Sequence, residues 1–201
     1  PVVRDVARWR ATGLPVTAKI ADLGDLAMLT TTLIGADVVV SCAHALYSPA
    51  IIAAAPPAAR LVLLGSTRRY SRWADAHGDC VKAGEAAFLV SGRRGAMLHP
   101  TMIYGAEGED NVQRLAALMR RLPVAPLPGG GRALVQPIFQ QDVTRCLVAA
   151  VDHDWDTAVS MVIAGPRPLR YAAFLRAVCA AAGLRTPWIV PMPLQPLLAI
   201  V

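Results

Sequence analysis

The side chains that could bind or react with a ligand stand directly after five short apolar segments. If these segments are neighbouring parallel strands, their carboxyl ends meet at one edge of a sheet, where doubly wound sheets bind their ligands. The sequence therefore predicts that the residues after the segments line a single crevice. These residues are Arg4, Asp22, Leu23, Cys42, Ala43, His44, Gly65, Ser66, His99, Pro100 and Thr101.

The apolar segments alternate with patterns that are typical of helices. Residues 38–40 and 61–64 are wholly apolar and bounded by turn residues, as expected of parallel strands that are covered on both faces. Amphipathic helices are predicted at residues 111–122, 142–152 and 171–182. This alternation predicts an α/β fold with a Rossmann-like, doubly wound parallel sheet. Residues 123–132 contain three prolines and three glycines, which indicates a loop.

The composition limits the kinds of partner. With 55% hydrophobic and 17% charged residues in a chain of 201, a sizeable core can be buried. The net charge of +6 comes almost entirely from arginines spread along the chain, which favours a phosphate group or a solvated surface over nucleic acid. Pro49, Pro56 and Pro57 interrupt the most apolar region, so no integral membrane span is predicted.

The cysteines and histidines show no metal-binding pattern. The four cysteines form no CxxC pair, and three of them lie in apolar periodic stretches. This pattern indicates buried, reduced thiols in a cytoplasmic protein. The four histidines are not spaced like metal ligands, so no metal site is predicted. Association into an oligomer is compatible with the sequence.

Four segments, taken in order, resemble motifs of the short-chain dehydrogenase/reductase superfamily. Residues 22–25 (DLGD) resemble the acidic turn after the third strand of its extended and atypical members. Residues 65–70 (GSTRRY) resemble the serine-bearing segment, and residues 99–105 (HPTMIYG) resemble the RPxxIYG segment that passes the nicotinamide. Residues 136–143 are similar to a later strand-to-helix segment. The series resembles the NAD-dependent epimerase/dehydratase-like and NmrA-like proteins.

The resemblance implies that the partners are a nicotinamide dinucleotide, NAD or NADP, and a small-molecule substrate of unknown identity. It places Arg4 at the 2′-phosphate of NADP, or else on the surface. Asp22 would contact the adenine or cap the next helix. Ser66 would bind a substrate carbonyl or satisfy a strand end, and His44 would line the crevice or be a satisfied loop histidine. His99 replaces the arginine of the motif and would face the cofactor or end a strand. The other cofactor-binding positions implied are Leu23, Cys42, Ala43, Gly65, Lys82, Pro100, Thr101 and Met102.

One departure from the family pattern concerns the start of the sheet. No glycine-rich turn of the form GxxGxxG precedes Val2, so we expect a β-α unit of about thirty residues to be missing there. That unit would supply the helix N-terminus that holds the pyrophosphate. The Rossmann-like core is predicted at residues 1–105 plus 136–165, and a smaller substrate portion at residues 106–135 plus 166–201.

The second departure is chemical. Active members of the superfamily use a Tyr-x-x-x-Lys pair in which the tyrosine passes a proton. Lys82 fits the lysine position, but Gly78 stands at the tyrosine position, and glycine cannot transfer a proton. Ser66 and Lys82 remain the candidate catalytic residues, with Tyr70 or Tyr104 as a possible displaced acid.

Three functions are therefore open. The first is an NAD(P)-binding protein with altered or absent redox chemistry. The second is an active NAD(P)-dependent reductase, epimerase or dehydratase that acts on a small or nucleotide-sugar-like substrate. The third is a non-enzymatic module that binds a partner or assists assembly.

Overall fold

The computed structural model describes residues 1–105 and 111–193. The chain divides into two compact units. The first comprises Pro1–Pro100 and Arg145–Ile163, and the second comprises Thr101–Thr144 and Ala164–Val201.

Short strands and helices alternate along the chain. The strands are β1 (Val2–Val3), β2 (Lys19–Ile20), β3 (Val38–Ser41), β4 (Arg60–Leu64), β5 (Gly95–Pro100), β6 (Ile103–Tyr104), β7 (Val124–Pro128), β8 (Leu134–Val135), β9 (Ile138–Phe139), β10 (Ala158–Ile163), β11 (Leu169–Arg170) and β12 (Trp188–Met192). The helices are α1 (Val6–Arg10), α2 (Leu26–Leu33), α3 (Ser48–Ala54), α4 (Ala76–Val90), α5 (Asn111–Met119), α6 (Gln140–Asp152) and α7 (Tyr171–Ala181). Short 3-10 helices cover Ala45–Tyr47, Thr67–Tyr70 and Gly129–Gly131.

The first unit is built on a four-stranded sheet with the order β10-β5-β4-β3, in which every pair of neighbours is parallel. Alternate residues of β4 pack on opposite faces. Leu61 and Leu63 lie in a cluster with Phe88 of α4, whereas Val62 packs in a second cluster with Ala150 of α6. Because helices cover both faces, the prediction of a Rossmann-like, doubly wound parallel sheet is confirmed.

β1 and β2 form a separate two-stranded parallel sheet in which Val3 pairs with Ile20. The sequence analysis expected the five apolar segments to be neighbouring strands of one sheet, and this was wrong for β1 and β2. A groove of about 850 Å³, lined by residues of both β1 and β3, lies in this unit. Among the described residues β1 pairs only with β2, and β3 pairs only with β4, so no strand pairing connects the two sheets.

The second unit contains a strand where the sequence predicted a loop. β7 pairs in parallel with β12, and Ala125 and Leu127 are buried while their neighbours are exposed. Proline is tolerated in such a strand because its missing N–H can lie on the side without a partner strand. The prediction of a loop from Pro123 was thus wrong for Val124–Pro128. It holds for the following glycines, which form a short turn with positive φ angles of 56°, 68° and 69°.

The three amphipathic helices predicted from the sequence are present. The patterns at residues 142–152 and 171–182 correspond to α6 and α7, and α5 ends three residues before the predicted boundary of 122. The core of the second unit packs α5 and α7 together through Met119, Leu175 and Cys179. No helix within residues 1–105 and 111–193 is long and apolar enough to cross a membrane.

Candidate functional site

The carboxyl ends of β3, β4 and β5 share one edge of the sheet in the first unit, because the strands are parallel neighbours. Cys42, Ala43 and His44 follow β3, and Gly65 and Ser66 follow β4. His99 and Pro100 are the last two residues of β5. The structure therefore brings the polar ends of these three strands together, as the sequence predicted.

Ser66 is held by the turn that it begins. Its Oγ accepts a hydrogen bond of 3.2 Å from the backbone N–H of Arg68 and so caps the 3-10 helix Thr67–Tyr70. The hydroxyl of Thr67 donates to the carbonyl of Pro100 at 3.1 Å, which ties this helix to the end of β5. Since the Oγ of Ser66 accepts this bond, its own proton is left to donate to a further acceptor.

Next to Ser66 lies a group of four polar side chains, which we call the His99 cluster. Glu85 and His99 are buried, and Arg69 and Ser160 are half-buried. Oε1 of Glu85 lies 2.6 Å from a guanidinium nitrogen of Arg69 and 3.3 Å from Nε2 of His99. It also accepts the hydroxyl hydrogen bond of Ser160. Glu85 is 3% exposed and His99 is 0% exposed, so this carboxylate is buried with its donors around it.

The hydrogen bonds of His99 define its protonation. Its Nδ1 accepts from the backbone N–H of Ser66 at 3.1 Å, and its Nε2 lies 3.1 Å from the Oγ of Ser160. Burial lowers the pKa of the His99 imidazole, and this outweighs the opposite effect of the Glu85 charge. His99 is thus a neutral imidazole with its proton on Nε2. Its ring contacts the strand end at Gly65 and Ser66 and has no exposed surface.

Gly65 is required by this arrangement. Its N–H donates to the carbonyl of Leu98 at 2.7 Å, and a Cβ at this position would lie 2.3 Å from Nδ1 of His99. The histidine ring therefore occupies the space that a side chain at residue 65 would need. The sequence showed both residues at the crevice, but it did not show that they are packed against each other.

The residues at the tyrosine and lysine positions lie on α4. Gly78 is buried, and a Cβ there would lie 2.6 Å from the backbone oxygen of Arg68. Nζ of Lys82 lies 3.0 Å from Oδ1 of Asp79, and the Lys82 side chain is half exposed. Helical spacing would also allow Lys82 to pair with Glu85, but within the described residues Glu85 pairs with Arg69 and belongs to the His99 cluster.

A pair of histidines, His44 and His77, was not recognised from the sequence. Nε2 of His44 lies 2.9 Å from Nδ1 of His77, and the two rings meet edge to face. His44 belongs to the loop after β3, and His77 is the second residue of α4. The two residues are 33 positions apart, so no motif spacing in the sequence indicates that they are in contact. His77 directly precedes Gly78 in the chain. We call them the His44–His77 pair.

Arg4, Asp22 and Leu23 follow β1 and β2. Arg4 is exposed and lines the groove between β1 and β3, together with Leu23. Oδ1 of Asp22 accepts from the N–H of Gly24 at 2.8 Å and closes a tight turn. The alternative that Asp22 caps the next helix is wrong, because Oδ1 of Asp25 caps α2 through the N–H of Met28.

Thr101 and Met102 belong to the second unit. The hydroxyl of Thr101 is buried and has no hydrogen-bond partner among the described residues. The carbonyl of Met102 accepts from the N–H of Ile138 at 2.9 Å. The ring of Tyr104, one of the two suggested displaced acids, packs against Phe139, with 5.5 Å between the ring centroids.

The other suggested displaced acid, Tyr70, lies in the first unit and is 58% exposed. The guanidinium of Arg69 lies over its ring, 4.8 Å from the centroid. Within residues 1–105 and 111–193, no three His, Cys, Asp or Glu side chains are grouped as metal ligands.

The sequence matches no protein-family model and no curated protein. The structure, in contrast, is similar to many solved structures. A nucleoside-diphosphate-sugar epimerase from Pseudomonas aeruginosa has a TM-score of 0.73 and 18% identity, over 99% of this chain and 73% of that protein. The dTDP-4-dehydrorhamnose reductase of Bacillus anthracis, solved with NADP, has a TM-score of 0.72 and 11% identity, over 89% of this chain and 77% of that one.

A third similar structure is a Bordetella bronchiseptica enzyme in complex with NAD and UDP. Its TM-score is 0.71 at 14% identity, over 89% of this chain and 68% of that enzyme. This chain has the same fold. At such identities the likeness establishes the Rossmann-like architecture that the sequence predicted, and the chemistry has to be argued from this chain's own residues.

Proposed function

We propose that this protein binds a nicotinamide dinucleotide, as an atypical short-chain dehydrogenase/reductase-like protein whose redox chemistry is altered or absent. The ligand would lie at the carboxyl edge of the sheet in the first unit, over the segments after β3 and β4. Its contacts there would be Cys42, Ala43, His44 and Gly65. Arg4, Asp22 and Leu23 would contribute from the ends of β1 and β2.

Two observations support a dinucleotide. Open parallel sheets bind ligands outside the carboxyl ends of their strands, and three such ends meet here. In addition, the similar structures described above were solved with NADP and with NAD and UDP. When bound, the nicotinamide would supply or accept a hydride, and the chain would contribute only positioning and hydrogen bonds.

The observation that carries the altered chemistry is Gly78. This position has no side chain, and the backbone oxygen of Arg68 fills the space where a Cβ would begin. A tyrosine hydroxyl is therefore absent by sequence and disfavoured by packing. Lys82, whose catalytic role in the family depends on that tyrosine, is half exposed and bound to Asp79.

The second unit is proposed to be the substrate portion. In an active reductase, epimerase or dehydratase it would bind a small or nucleotide-sugar-like substrate. Thr101 and Met102 are cofactor contacts by the resemblance alone. The buried hydroxyl of Thr101 has no hydrogen-bond partner in the described ranges, which supports a polar contact with a ligand there. The four cysteines are free thiols, which supports the predicted cytoplasmic location. The prediction that they are buried holds for Cys179, but it is wrong for Cys42, which is exposed.

Thermal unfolding with NAD, NADH, NADP and NADPH tests the proposal. A dinucleotide present at one hundred times its Kd should stabilise the protein by about 2.7 kcal/mol. Arg4→Ala should weaken NADP more than NAD if Arg4 binds the 2′-phosphate, and Arg8→Ala on the exposed helix α1 is the matched control. The absence of any shift with all four dinucleotides would refute dinucleotide binding.

A further inference from the structure

The His44–His77 pair has a single hydrogen-bonding arrangement when both rings are neutral. Nδ1 of His44 accepts from the backbone N–H of Leu46 at 3.0 Å, so the proton of His44 must lie on Nε2. That Nε2–H then donates to Nδ1 of His77 at 2.9 Å. The proton of His77 is consequently on its own Nε2. A backbone amide thus determines the tautomers of both rings.

This arrangement leaves one donor of the pair with no hydrogen-bond acceptor among the described residues. Three of the four ring nitrogens are engaged, by Leu46 or by the partner ring, and the fourth is the Nε2–H of His77. Both residues are partly exposed, in contrast to the fully buried His99. The pair can therefore offer a hydrogen bond to an oxygen atom of a bound molecule.

Adding a proton to the pair would disrupt it. The extra proton would have to sit on a nitrogen that already accepts, either Nδ1 of His44 or Nδ1 of His77, so one of the two hydrogen bonds would be lost. Besides His44 itself, the charged groups that act on His77 are Arg68 and Asp75, which form a bidentate pair with each other. Burial, followed by the positive charges of a protonated His44 and of Arg68, lowers the pKa of His77 and so favours its neutral form.

The pair lies where the proposed dinucleotide site and the altered catalytic position meet. His44 belongs to the loop after β3, which the proposed ligand would contact, and His77 precedes Gly78 on α4. We propose that the His44–His77 pair is a binding element of this site, in which His44 fixes the tautomer of His77, and His77 donates its Nε2–H to an oxygen of the bound dinucleotide. This inference rests on the proposed function.

A neutral donor of this kind explains how the site could bind a dinucleotide without transferring a proton to or from the bound molecule. The neutral pair has no vacant basic nitrogen, and loss of the Nε2 proton would leave an imidazolate, so it orients an oxygen but does not act as the acid or base that Gly78 has replaced. The same logic, a neutral imidazole used as a hydrogen-bond donor, is known for enzyme histidines with lowered pKa values.

The tautomers are tested in the ligand-free protein by ¹⁵N-resolved NMR of the histidine rings at neutral pH. We expect His44 and His77 each to carry the proton on Nε2, with assignments made from His44→Asn and His77→Asn. A proton on Nδ1 of either ring would overturn the inference, whatever the protein binds.

The donor is tested by calorimetric titration of NAD and NADP into matched variants of His77. Asparagine places an amide near the position of Nδ1, so His77→Asn can keep the contact with His44 but loses the outer donor. Glutamine reaches the position of Nε2, so His77→Gln keeps the outer donor. We expect His77→Asn to weaken binding by about threefold to tenfold, the size of one hydrogen bond, and His77→Gln to retain most of the affinity.

His153→Asn is the control, because His153 lies in the same unit and packs on Trp155, apart from the pair. Circular dichroism and the Tm of each variant separate loss of binding from loss of folding. If the wild type binds and a folded His77→Asn variant binds equally well, the inference is overturned and the proposed function stands. If the wild type binds neither NAD nor NADP, the proposed function fails, and the assigned ligand fails with it.

Discussion

The two histidine groups of the first unit are close to the same sheet edge, but their surroundings differ. In the His99 cluster, Oε1 of Glu85 and both ring nitrogens of His99 meet charged or hydrogen-bonding groups inside the protein, and His99 has no exposed surface. In the His44–His77 pair the two rings bond to each other and to Leu46, and one donor has no acceptor within the described part of the chain. The comparison teaches that burial with complete pairing indicates a structural role, whereas incomplete pairing at a partly exposed edge indicates a binding role.

The largest effect on stability should come from removing the carboxylate of the His99 cluster. Glu85→Ala would leave Arg69 without its counter-ion and the hydroxyl of Ser160 without its acceptor, while Nε2 of His99 would keep its contact with Ser160. Breaking a buried ion pair from one side typically costs about 3 kcal/mol. Urea unfolding measures this loss, and His77→Ala should cost much less. Equal losses for the two variants would contradict the distinction between the two groups.

The next effect concerns the packing of His99 on the strand end. Gly65→Ala would place a methyl group 2.3 Å from Nδ1 of His99, so the ring or the backbone must move. Overpacking of this kind costs about 2 kcal/mol. In a His99→Ala background the cost should fall, since the ring is gone, and a double-mutant cycle measures the coupling. A coupling energy of zero would show that the His99 ring does not restrict the space for a side chain at residue 65.

The pH dependence of stability should show that His99 is neutral in the folded protein. The pKa of His99 and that of His77 are both lowered in the folded protein, so the unfolded chain takes up protons first as the pH falls. Stability is then complete above pH ~6.5 and declines below it, toward the folded pKa values, by at most about 1.4 kcal/mol per pH unit for His99. Urea unfolding at pH 7.5 and 5.5 should show a smaller decline for His99→Gln than for the wild type. An unchanged slope would argue against a neutral, buried His99.

The smallest effect on stability is expected at Lys82. Its contact with Asp79 joins two exposed side chains on one helix, so Lys82→Ala should change the free energy of unfolding by less than about 0.5 kcal/mol. If Lys82 contacts the cofactor, as the resemblance implies, the same variant should still weaken NAD binding in calorimetry, and Asp79→Ala should not. Parallel effects of the two substitutions on NAD binding would indicate that Lys82 acts only through its surface pair.

Most of the sheet could be predicted from local pattern, because its strands are short apolar segments and its two central strands, β4 and β5, are buried on both faces. Residues 38–40 and 61–64 are wholly apolar, and they correspond to β3 and β4. β7 was missed because Pro126 and Pro128 suggest a turn, while pairing with β12 is a long-range interaction that composition does not record. The separation of β1 and β2 from the main sheet is likewise a matter of strand order, which periodicity does not determine.

The sequence predicted the residues of the candidate site only at positions that directly follow a parallel strand. The positions after β3 and β4 follow from parallel strands, and so Ser66 and His44 were identified. Glu85 and Ser160 are 75 positions apart, and each lies within an ordinary amphipathic or apolar pattern. Their contact depends on α4 and β10 packing together, and for the same reason His77 could not be paired with His44. The roles assigned to the cofactor-binding positions remain predictions.

The groove beside β3 has a consequence for backbone protection. β4 has a strand on each side, whereas among the described residues β3 is paired only with β4, and its other edge faces the groove with Val40 46% exposed. Amide protons that point into the groove should therefore exchange with deuterium early, while those between β4 and β5 should exchange only on global opening. Slowing of exchange along this one edge would report any segment or molecule that fills the groove, without the need to know its identity beforehand.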